Sequence, residues 1–247
     1  PDGRPWDGAI KRWHDHVYVL RDSETPWVRL ETRLPRPSAY GASVTWNDRV
    51  VVIGGGDAEK HHAACFTMKW TGSDIAFESL PDLPRPTAFH AAVLLGDRVY
   101  VFAGIEAPRA TTCLDQWLAL DLAGPPEARE WKALPPLPAA PRMLAIAGAQ
   151  AGCVYLIGGV SLATDDAGQP RRVEPYLSEV WRFDPADESW TRVADAPHPV
   201  AAAPSPAISV GLEHVAILGG DDGAMLGRQL RDDHPGFTGK ILLYNTT

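Results

Sequence analysis

The chain has 247 residues, 45% of them hydrophobic and 22% charged, with a formal net charge of −8, a composition ordinary for a globular protein. That acidic balance, with no Lys/Arg cluster to offset it, argues against a nucleic-acid binder. No apolar run approaches the roughly 20 residues a helix needs to cross a bilayer, and the N-terminus shows no basic, then apolar, then small-residue leader.

Taken in chain order, the first element is "HVYVLRDSETPWVRL", a strand, a polar turn, and a second strand opened by Trp27. Next comes "LPRPSAYGASV", a Pro-Arg turn running into a strand of small residues. It is followed by "DRVVVIGGGD", a β-branched strand closed by glycines, and by "FTMKWTGSDIAFESL", where Phe77 stands in the Trp place. The series then repeats. "LPRPTAFHAAV", "DRVYVFAGIE" and "LALDLAGPPEAREWKAL" end on Trp131, and "APRMLAIAGA", "CVYLIGGVS" and "VWRFDPADESWTR" end on Trp190. A last round gives "HVAILGGDD" and, at Lys240–Thr247, "KILLYNTT". The glycines that close the second strands, Gly55, Gly104, Gly159 and Gly220, recur roughly every fifty to sixty residues, a repeat period that points to stacked supersecondary units.

Four short strands per repeat, with turn punctuation, predict an all-β propeller of four-stranded antiparallel blades. Pro (23) and Gly (22) are too frequent for sustained helix. The expected division is a partial blade at 1–35, blades at 36–84, 85–138 and 139–199, and a partial blade at 200–247. Both partial ends carry a third strand, so they are not halves of one blade, and a closed ring requires a further one. Trp27, Trp131 and Trp190 are expected to be buried on outer strands. Cys65, Cys113 and Cys153 fit neither a metal spacing nor a disulfide framework and read as buried small hydrophobes.

These residues resemble the kelch repeat, a β-propeller family. In an antiparallel meander the loops joining strands 2–3 and 4–1 emerge on one face. Arg36, Arg85 and Arg142, each next to a proline in a 4–1 loop, therefore share a face with the long polar 2–3 loops. Three guanidiniums at one channel mouth suit a carboxylate ligand, which the planar fork grips with two bonds; alternatively, each arginine simply ties neighbouring loops together. Glu106, Asp57 and Asp222 are the candidate proton-transfer groups, with Asp221 and His234 beside them. His61-His62 lacks a third ligand at a useful spacing, so no metal site is expected there.

"IKRWHDHVYVLRDSETPWVRLETRLPRPSAYGASVTWNDRVVVIGGG" and "GGDDGAMLGRQLRDDHPGFTGKILLYNTT" are similar to the sialate mutarotases (N-acetylneuraminate epimerases), in particular their cyclically permuted branch. The resemblance implies a six-bladed propeller that interconverts the anomers of sialic acid by acid/base ring opening, without a cofactor. It also implies a small acidic sugar as ligand, with neither nucleic acid nor membrane as partner. Tyr40 and Arg228, within the matching stretches, join Arg36, Arg85 and Arg142 as candidate sugar contacts. The family's Gly-Glu-…-Pro-Gly-…-Arg stretch is expected on a blade beyond "KILLYNTT"; "GIEAPR" at Gly104–Arg109 is only faintly like it and sits on another blade. A periplasmic or secreted setting is compatible with the resemblance, though the sequence fixes no compartment. The alternative is a kelch binding module that presents its long loops to a protein or glycan without catalysis.

Overall fold

The computed structural model describes residues 7–228 and 230–247, whose regular structure is almost entirely antiparallel strand. The first sheet pairs β1 (His16–Val19) with β2 (Val28–Arg33). A four-stranded sheet follows: β3 (Ala42–Trp46), β4 (Arg49–Ile53), β5 (Cys65–Trp70) and β6 (Ile75–Leu80). The next contains β7 (Ala91–Leu95), β8 (Arg98–Phe102), β9 (Trp117–Asp121) and β10 (Lys132–Ala133). In the third large sheet, β11 (Ile146–Gln150) and β12 (Cys153–Ile157) are separated from β15 (Val180–Asp184) and β16 (Ser189–Arg192) by an inserted hairpin, β13 (Leu162–Thr164) and β14 (Pro170–Arg172). The last sheet is β17 (Ile208–Val210), β18 (His214–Leu218) and β19 (Ile241–Asn245). First strands adjoin first strands, β3 beside β7, β7 beside β11 and β11 beside β17. The sheets thus fan from a common inner edge as the blades of a β-propeller.

Strand periodicity explains how the blades stack. Successive side chains on a strand point to opposite faces, and both faces of an inner blade are covered. In β8, Val99 and Val101 face the preceding blade, packing with Val51, Ile53 and Cys65. Tyr100 and Phe102 face the following one, packing with Val154, Leu156 and Phe183. β12 repeats the pattern, with Tyr155 and Ile157 turned toward Val215, Ile217 and Tyr244. The seam between the second and third large sheets is aromatic: Phe102 stacks on Trp117 at 3.6 Å between centroids, and Phe183 and Trp190 meet Trp117 at 5.1 and 5.4 Å.

Backbone bonds also cross the three seams that follow the first four-stranded sheet, at the inner rim. Phe89 N donates to Tyr40 O (2.9 Å), Leu144 N to Phe89 O (2.9 Å) and Ala202 N to Leu144 O (2.8 Å). All four residues have positive φ, between 56° and 62°. Outside this rim, Gly55 N bonds Thr87 O, Gly104 N bonds Arg142 O and Gly159 N bonds Val200 O. The glycine is required there: a Cβ on Gly55 would lie 2.7 Å from Ser38 Oγ and 2.9 Å from Ala39 O.

The bridges Ala39–Gly56, Ala88–Ile105, Met143–Val160 and Ala201–Asp221 fix the register of the repeat. They superpose Pro37, Pro86, Pro141 and Pro199. Arg36 and Arg85 precede their prolines, whereas Arg142 follows its own. Arg142 is therefore not the counterpart of the other two; Ala140 and His198 are. Its true counterparts are Ser38, Thr87 and Val200.

The tryptophans also divide. Trp131 and Trp190 are half-buried, and each donates its indole N–H to a proline carbonyl of the preceding blade, Pro81 (2.9 Å) and Pro135 (3.0 Å). Trp27 is 65% exposed, contrary to the expectation of burial, because among the described residues no second blade packs over it as blades pack over Trp131 and Trp190. Of the cysteines only Cys65 is buried, its thiol pushed up to about 12 by desolvation. Cys113 lies in a loop and Cys153 opens β12, so both stay partly exposed.

Candidate functional site

Arg36 is exposed, in the loop leading to β3. Its Nη1 lies 3.4 Å from Nδ1 of His62, and among the described residues no carboxylate pairs with it. His62 Nε2 is in turn 3.0 Å from Asp57 Oδ2. Asp57 is held by the backbone N–H groups of Glu59 and Lys60, and the Lys60 and Glu59 bonds keep its carboxyl below the usual aspartate range. It is thus a carboxylate at neutral pH and a poor proton donor.

The neighbouring His61 is buried, its Nδ1 3.0 Å from Ile105 O, and its ring meets Phe89 edge-on at 5.9 Å. Phe89 stacks on Tyr40 at 4.3 Å, and Lys11 Nζ sits 4.2 Å over the Tyr40 ring. Contacts therefore run without a break from Arg36 through the two histidines and the aromatic pair to Lys11. Burial lowers the pKa of both histidines, desolvation being the largest influence on each, so neither competes with the two cations for an anion. The cluster offers two cations, an aromatic surface and a carboxylate at one rim.

The other predicted residues fall elsewhere. Arg85 is exposed and ion-paired with Glu106, two loops of one blade tied together. Arg142 is fully buried; it donates to Ala140 O, to Gly158 O and, at 2.8 Å, to Glu179 Oε2. Burial pulls its pKa down, opposed by Glu179. On Glu179 desolvation acts upward, but the bonds from Arg142 and Trp181 leave its carboxyl below the usual range. Arg142 thus reaches no channel mouth, a consequence of its two-residue displacement in register.

Asp222 lines a cleft of about 270 Å³ together with His198, Asp221, His234, Phe237 and Lys240. None of the four arginines lines that cleft, and Asp222 Oδ1 accepts the Ala224 N–H as a turn cap. Arg228 is exposed in the same long loop. The structure thus keeps Arg36, Tyr40 and Asp57 in one cluster, joins Glu106 to Arg85, and sets Asp222 apart. Reasoning from sequence passed over Glu179, Phe89 and Lys11, and considered His62 only as a metal ligand. The proline register carried the signal for two of them: it shows Phe89 in the place of Tyr40, and Arg142 in an inward place that needs a buried acid.

Comparison with known proteins agrees with this architecture. The protein with the structure titled "Structure of YjhT" superposes with a TM-score of 0.73 over 95% of this chain and 76% of its own, at 14% sequence identity, a likeness of fold. An N-acetylneuraminate epimerase of Yersinia pestis (strain Pestoides F) is 35% identical over 72 residues, and one of Brucella suis (strain ATCC 23445 / NCTC 10510) is 34% identical over 74. These matches take in 29% and 30% of this chain and 18% of each relative's length. The family model described as the KLHDC2/KLHL20/DRC7 Kelch-repeats domain matches residues 6–227. With its repeated four-stranded blades and that match over most of its length, the chain belongs to the Kelch-repeat family.

Proposed function

We propose that the chain forms the ligand-binding wall of a kelch propeller acting on an acidic sugar of the N-acetylneuraminate type, in the interconversion of its anomers. The observation that carries this reading is the exposed guanidinium of Arg36, without a carboxylate partner among the described residues, beside the Lys11-covered Tyr40–Phe89 stack. A carboxylate takes two bonds from such a fork, and an apolar sugar face packs on aromatic rings. The names of the partial relatives supply the ligand class.

Anomer exchange requires removal of the anomeric hydroxyl proton, opening of the ring with a proton delivered to the ring oxygen, and reclosure on the other face. It calls on an acid/base group poised near neutrality. On the Arg36 rim Asp57 is held as a carboxylate, and Glu106 is engaged with Arg85. On this reading the chain anchors the sugar and does not itself supply the proton donor.

The test is titration of the chain with N-acetylneuraminate, followed by NMR, together with exchange spectroscopy between its anomers. Saturable binding without faster exchange is expected. Absence of binding sinks the reading. Accelerated exchange would return Glu106, Asp57 and Asp222 to the catalytic role.

A further inference from the structure

We infer that His62 is the positioning residue for Arg36: its Nε2–H tautomer holds the guanidinium at the rim, and protonation of the ring releases it. This deepens the proposed function and rests on Arg36 as the carboxylate anchor.

The tautomer follows from donor inventory. A guanidinium has only N–H donors, so His62 Nδ1, 3.4 Å from Arg36 Nη1, must be the acceptor. The ring proton is then on Nε2, which lies 3.0 Å from Asp57 Oδ2, an electrostatic approach without the alignment of a hydrogen bond. The ring has little freedom to do otherwise. Its side chain is 5% exposed, its own N–H bonds Gly55 O at 2.7 Å, and its carbonyl accepts Thr87 N–H at 3.1 Å across the blade seam. Asp57 is itself fixed by two backbone N–H groups. A rigid acceptor thus meets a long, exposed side chain that would otherwise sample many rotamers, and ordering such a chain in advance removes part of the cost of binding.

The charged and titratable groups around His62 are Asp57, Arg36, Lys60 and His61. Asp57 favours protonation, while Arg36, Lys60 and burial oppose it, so the ring is neutral at neutral pH. When it does take a second proton, Nδ1 becomes a donor facing a donor and a cation facing a cation. Arg36 then leaves the rim. A sugar carboxylate stays ionised through that range, so the loss of affinity comes from the protein.

Three readouts test this on the chain as it stands. The ¹⁵N shifts of the His62 ring should show an unprotonated Nδ1 and a protonated Nε2; the reverse tautomer overturns the inference without reference to any ligand. The dissociation constant for N-acetylneuraminate should rise as pH falls below the ordinary histidine range, toward the tenfold or greater loss of affinity that removal of the Arg36 contact gives. His62→Gln, whose amide N–H can stand beside Asp57 while its carbonyl no longer stands where Nδ1 was, should bind about five- to tenfold more weakly at pH 7 and lose the pH step. His62→Asn, whose carbonyl stands where Nδ1 was, should rescue most of the affinity while also losing the step. If Arg36→Ala binds like wild type, the anchor reading fails. If Arg36→Ala is weak but His62→Gln behaves as wild type at every pH, the role of His62 alone falls.

Discussion

Arg36 and Arg142 both sit beside a proline at a blade entrance, yet one is an exposed cation with spare donors and the other is completely buried. The difference is two positions. A residue before the proline lies on the outer side of the turn, and a residue two places later takes the inward site that Thr87 and Val200 occupy elsewhere. There the guanidinium must be satisfied in full, and Ala140 O, Gly158 O and Glu179 do so. The same side chain is scaffold in one register and available chemistry in the other.

The sharpest way to break this comparison is Glu179→Ala, which leaves the Arg142 charge buried without its partner. A loss of about 3–5 kcal/mol is expected, read as a lowered urea midpoint; Arg36→Ala should shift stability by less than about 0.5 kcal/mol. Equal effects would mean that the two arginines play one role.

A buried base should respond to pH as a buried cation cannot. His90, buried beside the Gly54 and Gly104 turns, has its pKa lowered to about 4, mainly by desolvation. The unfolded chain takes up this proton near pH 6.5 and the folded one only near pH 4, so stability falls as pH drops through that window. The loss is on the order of 3 kcal/mol. Thermal melts from pH 7 to 4 should show it, and His90→Ala, which installs the residue found at Ala145 and Ala203, should flatten the slope. An unchanged slope would locate the acid sensitivity elsewhere.

For ligand affinity, Arg36→Ala should raise the dissociation constant for N-acetylneuraminate about tenfold to a hundredfold, the equivalent of losing a charge-assisted contact of about 1.5–3 kcal/mol. Arg85→Ala, which removes a partner of Glu106, should change it little. The smallest expected effect separates the tryptophans. Trp131→Phe forfeits the bond to Pro81 O and about 1 kcal/mol, whereas Trp27→Phe at an exposed site should stay within about 0.5 kcal/mol.

The blade architecture was legible because one motif recurs: Gly-closed strands such as β4 and β12 and the Trp-led turns announce the same unit several times. Trp27 misled because burial belongs to the seam between two blades, not to the residue. Arg142 misled because Pro-Arg and Arg-Pro look alike on a page, while their side chains diverge by two positions along an extended backbone. His62 was weighed only as a metal ligand. Its engagement with Arg36 and Asp57 depends on two loops that are neighbours in space, and no spacing rule reports that. Lys11 over Tyr40 lay beyond reach for the same reason.

The inner rim has a consequence for how such a protein can change. At Tyr40, Phe89, Leu144 and Ala202 the bonds that join one blade to the next are made by backbone atoms alone. The frame therefore asks only that each residue accept a left-handed conformation, and four quite different side chains do. Whatever those side chains present, aromatic, aliphatic or nearly nothing, can be exchanged one blade at a time while the joints stay as they are. Lining and joinery are separate variables, so a new ligand can be accommodated without redesigning the joints between blades.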